Sequence, residues 1–204
     1  MERSFEQYFR QDHLPHLWCP GCGNGIAMKA IVQAVEKKGL SQDNTVIVSG
    51  IGCSSRASGY MDFDTLHTAH GRAIPFATGI KLANPELNVV VITGDGDCTA
   101  IGGNHFIHGC RRNVDLTVVL FNNNIYGMTG GQSSPLTPQN SRSTTAPFGH
   151  IERSFDIAKL SDKTVRFFNH TPVISMLSYS NFGADTAGSP VKVHEAVAHM
   201  QEAY

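Results

Sequence analysis

Asn88-Val-Val-Val-Ile-Thr-Gly-Asp-Gly-Asp-Cys98 decides the fold. A run of apolar and β-branched residues stops abruptly at a turn of glycine and aspartate. That is the pattern of a strand buried on both faces whose carboxyl end opens onto a site. Asp115-Leu-Thr-Val-Val-Leu-Phe121 repeats it and ends in Asn122-Asn-Asn-Ile-Tyr126, and a shorter apolar strand is predicted over Thr45 to Ser49. Helices are predicted between these runs. Gly25 to Lys38 gathers Ile26, Ala27, Ala30, Ile31, Ala34 and Val35 toward one face and stops at Gly39. Arg72 to Ala83 has the same spacing, with Pro75 in its first turn. The alternation predicts an α/β fold with a parallel sheet, in which ligands sit outside the carboxyl ends of the strands. Thr129 to Gly149, rich in Gly, Ser, Thr and Pro, reads as a long loop beside that site.

Gly94-Asp95-Gly96 could be no more than a turn at a strand end, the commoner reading of such a tripeptide. It could equally bring backbone close to a phosphate, with Asp95 as a hard oxygen ligand for Mg²⁺. The second strand favours the site. Asn123 follows Gly96 after 26 intervening residues, enough for a helix and a returning strand. A right-handed crossover makes the two strand ends neighbours, so Asp95 and Asn123 can share one ion.

The five cysteines are Cys19, Cys22, Cys53, Cys98 and Cys110. An odd count, a Cys-x-x-Cys pair and no export signal favour reduced thiols. Trp18-Cys-Pro-Gly-Cys-Gly23 reads as a zinc knuckle, a redox pair or half of an iron–sulfur site. Zinc would want a second close pair, and none of suitable spacing follows. A third thiol lies in Gly50-Ile-Gly-Cys-Ser-Ser-Arg56, whose Arg56 is either a fork for a substrate carboxylate or a solvated surface residue. Cys98 and Cys110 read as small packing residues. The chain of 204 residues suffices for one core, or one domain with an appendage, and its formal charge of −1 provides no field to gather nucleic acid or an anionic membrane. No apolar run approaches the ~20 residues of a membrane helix, and the charged start Met1 to Arg10 has no apolar core, so a cytoplasmic protein is expected.

Gly94-Asp-Gly-Asp-Cys-Thr-Ala-Ile-Gly-Gly-Asn-His-Phe106 and Asn122-Asn-Asn-Ile-Tyr-Gly-Met-Thr-Gly-Gly-Gln132 resemble the β subunits of 2-oxoacid:ferredoxin oxidoreductases. The resemblance implies a domain binding thiamine diphosphate and Mg²⁺, the metal held by Asp95, Asn123 and the carbonyl of Ile125. It places Gly96, Asp97, Gly127 and Met128 along the diphosphate and thiazolium side. Ile51, Gly52, Cys53 and Ser54 would approach the diphosphate, and His70, just before Gly71-Arg-Ala73, would contact the cofactor. Cys19, Cys22 and Cys53 would ligate a [4Fe–4S] cluster. The family's fourth cysteine, in a downstream Ser-Pro-Cys segment, has no counterpart here. Arg56 would grip the substrate carboxylate.

The implied activity is oxidative decarboxylation of a 2-oxoacid, 2-oxoglutarate foremost, to acyl-CoA and CO₂, with electrons passed to ferredoxin. The carboxylic acid that thiamine needs at its aminopyrimidine comes, in that family, from the α subunit, so no catalytic residue is assigned in this chain. Two alternatives stand beside this reading: a subunit of a non-oxidative thiamine-dependent decarboxylase, and a truncated or chimeric module without turnover. The resemblance covers residues 1–160, a cofactor domain truncated relative to the family. Residues 161–204 resemble a fragment of the phosphate-acetyltransferase-like domain of some malic enzymes, with Pro172 to Gly183 read as strand and loop and Val191 to Tyr204 as helix. A junction is expected near Leu160 to Lys163.

Overall fold

The computed structural model describes residues 5–175. The chain forms two compact units, Met1–His170 and Thr171–Tyr204, and every regular element described lies in the first. Beyond residue 175, the readings for Pro172 to Gly183 and Val191 to Tyr204 fall outside the described residues. In chain order the elements are α1 (Asn24–Lys38), β1 (Thr45–Ser49), α2 (Ala57–Tyr60), β2 (Asp64–His67), α3 (Ala73–Ala83), β3 (Asn88–Gly94), α4 (Gly103–Arg112), β4 (Thr117–Phe121), β5 (Ile125–Tyr126), β6 (Gln132–Ser133) and α5 (Ile157–Phe167).

Strands β2-β1-β3-β4 form one parallel sheet in that order, so the α/β architecture matches expectation. The register pairs Val46, Ile47 and Val48 of β1 with Val89, Val90 and Val91 of β3. Because side chains alternate across a strand, this builds two cores. Ile47, Val90 and Ile92 meet Met28, Val32 and Val35 of α1 together with Tyr60, Met61 and Phe63. Val46, Val48, Val89 and Val91 meet Ala73, Ile74 and Ala77 of α3 and Cys98 on the opposite face.

Two expectations are corrected. The buried stripe of α1 is Met28, Val32 and Val35, whereas Ile26 is 78% exposed. Met28, Val32 and Val35 lie on one face at helical spacing, and burying them removes more apolar area from water than burying small alanines would. The run ending in Phe121 is not buried on both faces. β4 is the last strand in the order, and its Thr117 and Val118 are exposed, because among the described residues nothing pairs with its outer edge.

Helix ends follow their local chemistry. Gly39 closes α1 in the left-handed conformation, with Leu40 N–H returning to the Val35 carbonyl, while Lys37 and Lys38 face the negative end of the dipole. Asp156 caps α5 by accepting from Lys159 N–H at 3.0 Å. α5 runs unbroken through Leu160 to Lys163 and packs against α4, so the first compact unit extends ten residues beyond Leu160. No described helix is long and apolar enough to cross a membrane.

Candidate functional site

The carboxyl ends of β1, β2, β3 and β4 point to one edge of the sheet, and the sequence-predicted residues gather there. Gly94, the last residue of β3, pairs in register with Phe121, the last of β4. Asp95 and Asn122 therefore leave the sheet side by side. Asp95 is buried, and its carboxylate accepts a hydrogen bond from the Ser134 hydroxyl. Desolvation raises its pKa above the ordinary carboxylate range, opposed by the bonds from Ser134 and the Gly96 N–H. A buried acid in that balance gains from a cation at its free lone pairs.

After β4 the chain turns at once. Asn124 sits at φ 62°, and the Asn123 side-chain oxygen accepts from Ile125 N–H at 3.3 Å. An amide oxygen keeps a second lone pair, so this contact leaves Asn123 able to ligate. β5 and β6 then form a small antiparallel pair that brings Ser134 back beneath Asp95. The Thr137 hydroxyl locks the return by donating to the Asn124 carbonyl, and it accepts from Ser134 N–H at 2.8 Å. One short network thus joins the Asp95 and Asn123 turns.

Tight approach explains the glycines at the floor of the site. A Cβ on Gly96 would lie 2.1 Å from the Tyr126 ring, so the bare backbone and the aromatic face must stay together. A Cβ on Gly127 would lie 3.3 Å from Asn123 Nδ2 and 3.5 Å from Cys53 Sγ. Cys53 accordingly stands between the β1 loop and the Asn123 turn. Met128, next along, is exposed.

The loop after β1 carries Ile51, Gly52, Cys53, Ser54 and Arg56. Gly52 adopts φ 126°, and Ile51 N–H is held by Asp97. Ser54 is buried with its hydroxyl lacking any partner, and that oxygen would lie 3.1 Å from a Cβ on Gly94. An orphaned buried hydroxyl beside the phosphate-type turn is what a missing anionic oxygen would satisfy. Arg56 is exposed, and its charge lowers the Cys53 pKa against a larger rise from desolvation and from Cys22 and Cys19. The three thiols therefore share one neighbourhood.

Trp18, buried next to the Cys-x-x-Cys pair, donates its indole N–H to the Cys53 carbonyl at 2.7 Å, and its ring meets Tyr60 edge-on at 5.0 Å. This fastens the Cys19 and Cys22 loop to the Cys53 loop. Cys19 and Cys22 are exposed, and among the described residues no three His, Cys, Asp or Glu side chains converge on a single metal ion. A multi-iron cluster makes a different demand, one thiolate on each of several irons. Cys19, Cys22 and Cys53, whose loops the Trp18 bond ties together, could each offer one thiolate to such a group. Cys98 is buried, its thiol pushed up to about 12 by desolvation, and Cys110 is half-buried against Ser161. Both serve packing.

Asp97, expected along the diphosphate, turns its carboxylate into the protein, where four donors meet it. One of them is His70 Nδ1 at 2.5 Å. Sequence reasoning missed Ser134, Tyr126, Thr93 and Trp18 as parts of the site. The hydroxyl-rich segment around Ser134 was visible, but only the β5–β6 turn selects which hydroxyl reaches Asp95. An open cavity of about 660 Å³ adjoins Tyr126 and Ser134 and is lined on another side by Thr145 to Glu152.

Residues 50–167 match the family described as thiamine pyrophosphate enzyme, C-terminal TPP binding domain. The chain is 60% identical over 161 residues to the 2-oxoglutarate synthase subunit KorB of Archaeoglobus fulgidus, covering 79% of this chain and 60% of that one. It is 45% identical over 144 residues to the 2-oxoglutarate oxidoreductase subunit KorB of Mycobacterium tuberculosis, covering 71% and 39%. A solved structure, 2-oxoglutarate:ferredoxin oxidoreductase from Magnetococcus marinus with 2-oxoglutarate, coenzyme A and succinyl-CoA bound, superposes with a TM-score of 0.76 at 38% identity, over 80% of this chain and 55% of that one. The chain thus spans about 60% or less of the length of these relatives.

Proposed function

The chain belongs to the thiamine pyrophosphate enzyme family through its TPP binding domain, and on that premise we propose that it acts as the β-subunit-like half of a 2-oxoacid:ferredoxin oxidoreductase. Its substrate is 2-oxoglutarate, its products an acyl-CoA and CO₂, and its electron acceptor a ferredoxin. An α subunit completes the site with the carboxylic acid for the aminopyrimidine. The preference for 2-oxoglutarate is supported by the relatives and the solved structure, whose names carry that substrate. We carry forward the division into a cofactor domain and a separate tail as part of this proposal.

Asp95, the Asn123 amide oxygen and the Ile125 carbonyl would hold Mg²⁺, a hard cation that would offset the charge of a diphosphate. Cys19, Cys22 and Cys53 would hold a [4Fe–4S] cluster. Thiamine, when bound, supplies the carbanion chemistry, and the cluster takes up electrons singly. The protein does the rest. The Ser54 hydroxyl, without a partner among the described residues and set against Gly94, has a donor to give a phosphate oxygen, and the exposed Arg56 would receive a carboxylate in a bidentate fork.

The observation that carries the oxidative reading is the place of Cys53. Its sulfur stands against Gly127 and Asn123, beside the metal turn, with the other two thiols acting on it electrostatically. A non-oxidative decarboxylase has no use for thiols there. The test is iron and sulfide analysis of anaerobically purified chain, with Cys53→Ala alongside. We expect iron and sulfide in near-equal amounts in the wild type and loss of most of both in the variant. Reconstitution with an α subunit should then give viologen reduction that requires both the 2-oxoacid and coenzyme A. Decarboxylation without such reduction would refute the oxidoreductase and support the non-oxidative alternative.

A further inference from the structure

The second aspartate of Gly94-Asp-Gly-Asp97 forms a buried junction of four hydrogen bonds. It is 3% exposed. Its Oδ1 accepts from Ile51 N–H at 3.2 Å, from Gly71 N–H at 2.7 Å and from His70 Nδ1 at 2.5 Å. Its Oδ2 accepts from the Thr93 hydroxyl at 2.7 Å. The donors come from the loop after β1, the loop after β2 and the end of β3. Room for the carboxylate exists only because residue 50 is glycine, where a Cβ would lie 2.2 Å from Oδ2.

A carboxylate accepts and does not donate, so the short contact fixes the proton of His70 on Nδ1. Nε2 has no partner among the described residues, and the His70 side chain is 31% exposed, open to the sheet edge. Tyr126, the residue against which Gly96 packs, meets the His70 ring edge-on at a centroid distance of 6.4 Å. The ring is thus held by a carboxylate at one nitrogen and an aromatic neighbour, with the other nitrogen left for a ligand. This is how carboxylates orient functional histidines in general.

We infer that Asp97 is a positioning residue that acts through His70: its carboxylate, turned into the protein, holds the Nδ1 proton and orients the ring, so that Nε2 takes up a second proton as an anionic phosphate oxygen arrives and donates it to that oxygen. The inference rests on the thiamine-diphosphate reading for the identity of that anion. The same carboxylate ties the Ile51 and His70 loops to β3, so one side chain sets the distance between both cofactor-facing loops and the phosphate turn.

The test uses the full chain labelled with ¹⁵N-histidine and long-range ¹H–¹⁵N spectra, with His70 assigned through His70→Gln. Without cofactor, wild-type His70 should show a protonated Nδ1. Asp97→Asn should release it to a mixture or to the Nε2-protonated form. Gly50→Ala, which displaces the carboxylate without removing it, should do the same and serves if Asp97→Asn does not fold. Thr93→Val removes a different donor and should leave the tautomer unmoved. Titration with thiamine diphosphate and Mg²⁺, followed by the fluorescence of Trp18, should show affinity about 10–100-fold weaker in Asp97→Asn, the usual cost of losing a carboxylate behind a ligating histidine. A wild-type His70 protonated at Nε2 alone, or a tautomer unchanged in both Asp97→Asn and Gly50→Ala, overturns the inference. A wild type with no saturable response to thiamine diphosphate refutes the functional reading instead, and the tautomer then judges this inference separately.

Discussion

Asp95→Asn is expected to abolish the stabilisation that thiamine diphosphate and Mg²⁺ should give the chain, while leaving the unliganded fold intact. The substitution keeps an oxygen to accept from the Ser134 hydroxyl, although its amide nitrogen cannot accept from the Gly96 N–H. Alanine would confound the result by leaving that hydroxyl unpaired, at a cost of about 1–3 kcal/mol. Asparagine also removes a buried charge whose desolvation outweighs its hydrogen bonds, as the raised pKa of Asp95 records. The loss of the buried charge and the loss of the Gly96 contact oppose one another, so the unliganded variant should melt close to the wild-type temperature. What it loses is the anionic ligand for a hard cation. A ligand at a hundredfold excess over its Kd stabilises the wild type by about 2.7 kcal/mol, and the variant should show almost none of this. Thermal unfolding with and without the two ligands measures both quantities. A variant that still responds with the wild-type saturation curve would remove Asp95 from the metal site.

Sequence alone carried the sheet because β1 and β3 are the strands buried on both faces, and continuous apolar runs are unambiguous there. It misjudged β4, whose sequence is as apolar as theirs, because an edge position depends on what lies beside the strand. It missed β2 for a related reason: Asp64-Thr-Leu-His67 is short and half-polar, and it is a strand only because β1 offers an edge. The turns carrying Asp95 and Asn123 were legible since each follows its strand directly. Asp97 was assigned to the cofactor from its place in the motif, yet the direction of its carboxylate, toward Ile51, His70, Gly71 and Thr93, is set by the π-helical turn Asp97–Ile101 and by the space above Gly50. Ser134 lies 39 residues from Asp95, too far for any local pattern to pair them.

Gly71→Ala should be far more damaging than Gly39→Ala, although each adds one methyl at a left-handed glycine. Both glycines adopt the left-handed conformation, at φ 71° and φ 67°. A Cβ at Gly39 would meet nothing within 4 Å, so its cost is the conformational one, roughly 1 kcal/mol. A Cβ at Gly71 would lie 2.6 Å from Gly102 N and 2.7 Å from the Ile101 carbonyl carbon. Backbone on backbone cannot yield by a rotamer change, so the loop after β2 must lift away from the turn before α4. That displacement strains the Gly71 N–H bond to Asp97 and carries His70 with it. Overpacking of about 1–3 kcal/mol then adds to the conformational term, for a total near 3 kcal/mol. For a chain of this size that lowers the melting temperature by about 6–12 °C. Denaturant unfolding of the two variants should separate them by about 2 kcal/mol, and cofactor affinity should fall only in Gly71→Ala. Equal costs at the two positions would mean that the loops of β2 and β3 do not touch as described, and the junction at Asp97 would lose its geometric basis.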